Sequence, residues 1–148
     1  MKEKVTIWTK RLLDLMFWSG IVVTATLPLS IRIIGSYFDE IKDKYGELVV
    51  IYFVLGVAGL VIVRELRKMF KTVLDKNCFV EANVISLKKM SKWSFFIVAM
   101  SLVRTVVYLT FVMLVIILVF VMAALFCLVL ANVFEEAIRY KEENDFTI

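Results

Sequence analysis

The chain of 148 residues contains no histidine, one proline, two cysteines and five glycines. Without histidine it lacks the commonest general base and the commonest transition-metal ligand. Cys78 and Cys127 stand far apart and outside any paired cysteine motif, which excludes a zinc or iron–sulfur site of the usual kind. Cys127 lies in an apolar run and Cys78 in a basic segment, an arrangement that argues against a disulfide. The few glycines build no phosphate-cradling loop, and no nucleophile elbow or Ser/His/Asp set appears. Paired carboxylates occur only as solvated runs, Asp39-Glu40, Glu135-Glu136 and Glu142-Glu143. The expectation is a non-enzyme that carries no cofactor and no metal.

Apolar residues are what the chain has in excess: 61% are hydrophobic and the mean hydropathy is +0.87. Soluble domains sit near ~45–50%. The surplus is enough for roughly four membrane spans of ~20 residues each. Too little chain is left for a separate soluble catalytic domain of ~100 residues. The expected fold is an all-α membrane protein, one domain over residues 1–148. Four transmembrane helices form a bundle, with an amphipathic cytoplasmic helical hairpin between the second and third.

The first span is placed at about 12–34, interrupted by Asp14 and kinked by Pro28, which removes an i→i−4 bond. Lys2, Lys4, Lys10 and Arg11 precede it. No small-residue cleavage site follows, so it reads as a retained span and not a signal peptide. Residues 35–47 mix charges with Tyr37, Phe38 and Tyr45, a composition suited to the membrane interface. The second span is placed at about 48–65.

A basic loop follows at 64–92. Leu66, Phe70, Val73 and Leu74, then Val80, Val84, Leu87 and Met90, recur at helical spacing, predicting two amphipathic helices around a break at 75–78. Between 93 and 134 the only charge is Arg104. One straight helix of that length would reach ~63 Å, twice the hydrocarbon core. The third span is therefore placed at about 93–107 and the fourth at about 110–134, with the turn near 104–110. An acidic tail occupies 135–148.

Four spans put both termini and the basic loop on one side. Of the 18 Lys and Arg, only Arg32, Lys42, Lys44 and Arg104 then fall on the other. The positive-inside rule makes the richer side cytoplasmic, with N- and C-termini both there.

Individual features each carry two readings. Asp14 is either a functional intramembrane acid or an interfacial carboxylate paired with Lys10 and Arg11 of its own helix. Arg104 either meets an acid such as Glu47 or lines a polar cavity, or it snorkels to the interface. Ala123, Cys127 and Ala131 recur every fourth residue, a spacing that lets helix backbones approach closely. They serve either internal packing or a homo-oligomer face; Gly20 and Thr24 form a weaker version. The basic loop either satisfies topology, binds anionic lipid headgroups of the bilayer, or docks a cytosolic protein. Direct nucleic-acid binding is not expected, since no recognised fold supports it and lipids compete for the same cations.

Two blocks carry a family resemblance. One is Lys76-Asn77-Cys78-Phe79 with residues 84–90, Val-Ile-Ser-Leu-Lys-Lys-Met; the other is the tail from Glu135 to Ile148. Together they resemble the bacterial membrane family known as domain of unknown function 2975. Its members are similar in size, have about four spans and end in Lys-x-Glu-Asn-Asp-Leu-Thr-Ile/Val. Here Phe146 replaces the Leu. The resemblance runs from the second span to the end, and it implies a bacterial cytoplasmic membrane location.

Genes of the family often neighbour one for a small Cro/C1-type helix-turn-helix regulator, which implies a membrane partner for a DNA-binding protein. On that implication the leading expectation is a regulatory protein that binds and sequesters such a regulator. Asn77, Phe79, Lys88 and Lys89 in the loop, and Glu143, Asn144, Asp145 and Thr147 in the tail, would make the contacts. The alternative is an immunity or accessory subunit packed on another membrane protein. A small transporter or channel is weaker, because the spans offer only Asp14 and Arg104 as polar anchors.

Overall fold

The structure, a computed structural model, describes residues 2–107 and 111–146. Over them the chain is all-α: α1 (Lys2–Gly35), α2 (Asp39–Asp43), α3 (Tyr45–Leu74), α4 (Glu81–Val107) and α5 (Phe111–Phe146). By length and composition, α1, α3 and α5 are able to cross a membrane, the pattern of a multi-pass membrane protein. The described part of α4 falls outside that class. Ser86, Ser91, Ser94 and Ser101, with Lys88, Lys89, Lys92 and Arg104, dilute its apolar character.

The amphipathic hairpin expected at 64–92 is continuous with the long helices α3 and α4. Its first half is the last turns of α3 and its second half the first turns of α4. No glycine or proline stands at 64–65 or 92–93, so nothing ends the hydrogen-bond ladder where the composition changes. The same continuity carries α5 through the acidic tail to Phe146. Of the turn expected near 104–110, residues 108–110 lie outside the described residues; α4 runs on through Arg104 to Val107.

The break at 75–78 has a defined geometry. Asp75 caps α3, the amide of Asn77 donates to the Thr72 carbonyl (3.0 Å) and that of Lys76 to the Val73 carbonyl (3.1 Å). This pair of bonds is a Schellman motif, which places Lys76 in the left-handed region, at φ 60°. Glycine normally fills that position because it has no Cβ to clash.

The long helices pack as an antiparallel row in the order α1, α3, α4, α5. Among the described residues no close backbone approach joins α1 to α4 or α5, or α3 to α5, so the row does not close into a bundle. In the first layer Asp14 meets Arg67 at one end, Thr24 lies against Gly56 in the middle, and the Tyr45 hydroxyl donates to the Pro28 carbonyl (3.1 Å) at the other. α4 lies deepest. Val84, Leu87, Met90, Ser91, Ser94, Ile97, Val98 and Ser101 form one buried stripe at helical spacing. It faces Met113, Ala124, Cys127 and Ala131 of α5, where the small side chains let the Ser91 hydroxyl reach the Ala124 carbonyl (3.0 Å).

Substitutions at four positions probe these features. A Cβ on Gly56 would lie 2.9 Å from Thr24 Oγ1, whereas one on Gly20 would meet only the flexible Leu60 Cδ2, at 2.8 Å. Gly56→Ala is therefore expected to cost about 1–3 kcal/mol of stability in detergent, more than Gly20→Ala, and Thr24→Ala should restore much of the loss. Lys76→Gly should stabilise by up to ~1 kcal/mol, because it removes the left-handed strain. Thermal unfolding monitored by circular dichroism measures all four proteins.

Candidate functional site

Polar side chains gather at one end of the row and link every neighbouring pair of helices. Between α1 and α3, Asp14 accepts from Arg67 Nε (2.6 Å) and from Lys10 Nζ (3.1 Å), and the Arg67 guanidinium stands 4.5 Å from the centre of the Phe17 ring. Between α3 and α4, the buried Glu65 carboxylate accepts from the Ser86 hydroxyl (2.8 Å) and lies 3.4 Å from Lys68 Nζ. Asn83, also buried, donates to the Thr72 hydroxyl (2.7 Å) and to the Cys78 carbonyl (2.6 Å), pinning the 75–80 loop to both helices. Between α4 and α5, Lys88 Nζ donates to Glu135 Oε1 (2.7 Å). Phe79 from the loop stacks edge-on against Phe134, with centroids 5.2 Å apart.

The belt brings together residues from both blocks singled out in the sequence. Lys88 and Phe79 meet the start of the tail through Glu135 and Phe134. Asn77 and Lys89 are exposed. Glu143, Asn144 and Asp145 project on the last turns of α5, with Glu143 4.0 Å from Arg139. Thr147 lies outside the described residues. Above the Lys88–Glu135 pair runs an open cleft of about 300 Å³. Glu81 and Ile85 of α4 line one wall, and Ile138, Arg139 and Glu142 of α5 line the other.

The remaining predicted residues fall elsewhere. Arg104 sits over the Tyr52 ring (5.4 Å), at the opposite end of the row from Asp14. Cys127 and Ala131 are buried against α4, while Ala123 is only half-buried and Ala124 is fully enclosed. The small stripe thus alternates three and four residues, as a helix seam requires, and does not repeat every fourth. Among the described residues no three His, Cys, Asp or Glu converge as metal ligands.

Arg67, Glu65 and Asn83 are among the belt residues not singled out from the sequence. Arg67 and Glu65 are hidden in a highly charged stretch, and no periodicity reveals that Arg67 meets a carboxylate 53 positions away. Asn83 left a fainter signal: a lone amide next to Val84 on the apolar stripe of an amphipathic helix, where a buried polar group needs partners.

Asp14 and Arg67 are each about 30% exposed, so their bond is partly shielded from water. A double-mutant cycle with Asp14→Asn and Arg67→Gln should give a coupling of about 1 kcal/mol, read from unfolding in detergent. Asp14→Asn with Lys68→Gln should be additive, because Lys68 pairs with Glu65 and not with Asp14.

Comparison with known proteins adds the family. No curated protein and no solved structure matches the chain. A family profile described as "Protein of unknown function (DUF2975)" matches residues 19–148, from within α1 to the last residue. That match covers well over half of the chain, and the protein belongs to the DUF2975 family.

Proposed function

We propose that this protein is a non-enzymatic regulatory protein of the bacterial cytoplasmic membrane that binds and sequesters a small helix-turn-helix transcription regulator. The observation that carries the reading is the α4–α5 cleft. The two segments that resemble the family most meet there, through Lys88–Glu135 and Phe79–Phe134. The apolar part of α5, residues 111–134, spans ~36 Å, and its helix continues for ~18 Å beyond. That extension carries Glu135, Glu136, Glu142, Glu143 and Asp145 as a rigid acidic arm. A DNA-binding surface is basic, and charge complementarity speeds and orients such an encounter.

This reading needs the arm and the basic α3–α4 loop both in the cytoplasm, hence four spans. In support, α4 lies antiparallel along α3 from Asn83 beside Thr72 to Arg104 beside Tyr52, through the same depth as a spanning helix. Its serines are buried against its neighbours, so lipid need not meet them. With α4 as the fourth span, both termini and the basic α3–α4 loop share the cytoplasmic side, as the positive-inside rule favours. The accessory-subunit alternative needs the small-residue face of α5, and α4 already covers Cys127 and Ala131 there.

The test is a pull-down from gently solubilised native membranes through an N-terminal tag. Reversal of Glu142, Glu143 and Asp145 to Lys is expected to cut recovery of the small DNA-binding protein by about tenfold or more, with the same amount of bait in the membrane. Undiminished recovery would reject the acidic arm as the docking element.

A further inference from the structure

Because the row stays open, a groove remains at the end opposite the polar belt. α3 lines it with Leu48 and Tyr52, and α1 with Ile31 and Ile34. Arg104 of α4 faces them across the gap, and Glu40 and Lys44 stand at the mouth. Its volume is about 540 Å³, within the ~300–1,000 Å³ typical of small-ligand sites. A second groove shares Ile31 and adds Arg32 and Lys42 against Asp39. The two together present an apolar interior under a mouth with more positive than negative charge.

The depth of the groove matters as much as its charge. Leu48 opens the apolar stretch of α3, and Tyr52 lies one turn, ~6 Å, further in. Arg104, held over Tyr52, therefore sits where headgroups meet hydrocarbon. The anion that occupies this level in a bilayer is the phosphodiester of a phospholipid. Apolar side chains below a phosphate-binding cation match the two halves of such a molecule.

We propose that this groove binds a single anionic glycerophospholipid, of the phosphatidylglycerol type. Its phosphate is held by Arg104 and Lys44, and the first part of one acyl chain lies along Ile31 and Leu48. Glu40 accepts from the headgroup hydroxyls and disfavours headgroups with a second negative charge. The site is built by α1, α3 and α4 at the α2 end, so it is independent of the cytoplasmic partner reading.

The test is native mass spectrometry of the full-length protein in an uncharged detergent, titrated with phosphatidylglycerol, phosphatidylethanolamine or phosphatidylcholine. Phosphatidylglycerol should bind best. Arg104→Gln should weaken it about fivefold, the effect of removing one cation near a lipid headgroup. Arg104→Lys should retain most of the binding. Ile34→Trp, which keeps the charges and fills part of the groove at an exposed position, should also lower occupancy. Lys71→Gln with Lys76→Gln, at the belt end, should leave the tightest site unchanged. Equal binding of the three lipids, or equal losses from the Arg104 and the Lys71/Lys76 variants, would overturn the proposal. Thermal unfolding of each variant checks that any loss reflects the groove and not misfolding.

Discussion

The polar belt at the level of Arg67 is the constraint on which the rest of this fold depends. Apolar helices in a bilayer gain little from touching one another, since lipid tails are as apolar as leucine. Directional bonds therefore have to fix who neighbours whom. Asp14–Arg67, Glu65–Ser86, Asn83–Thr72 and Lys88–Glu135 each join one adjacent pair, and together they order α1, α3, α4 and α5. The register they set is then filled by close packing, Thr24 against Gly56 and Ser91 against Ala124.

Concentrating those bonds at one end gives the molecule two unlike ends. At the belt, the loop between α3 and α4 is fastened by Asn83 and by Phe79, so the α4–α5 cleft and the acidic arm have a rigid base. At the other end, the ties include the Tyr45–Pro28 hydrogen bond and the stacking of Arg104 on Tyr52, and the helices leave open grooves between them. A lipid bound there would bridge α1 and α4, whose backbones make no close approach among the described residues. On the proposed regulatory reading, this division supplies one place for an input and another for an output.

Much of the fold was legible in the sequence because it rests on local signals. The long apolar runs gave α1, α3 and α5, and the break at 75–78 appeared where Lys76 adopts its left-handed conformation. The helices run on where hydropathy changes but the backbone has no reason to stop, as at Arg64, Lys92 and Phe134, so the apolar spans alone do not mark their ends. The candidate site was less legible, because its bonds are long-range. Asp14 stands out as an acid in an apolar run, but its partner Arg67 is one cation among many. The α5 seam follows a three-four alternation through Ala124, which an every-fourth-residue pattern passes by at Ala123.

The proposed function requires α4 to return through the membrane, so that the basic loop and the acidic arm share a side. Thiol labelling with a membrane-impermeant reagent tests this directly. Native Cys78 reports the loop, and in a Cys78→Ser background Phe38→Cys reports the α2 end and Asp145→Cys the arm; Cys127 is buried against α4. With α4 as a span, positions 78 and 145 react only in inside-out vesicles and position 38 only in intact cells. Labelling of positions 78 and 145 from opposite sides would contradict this topology.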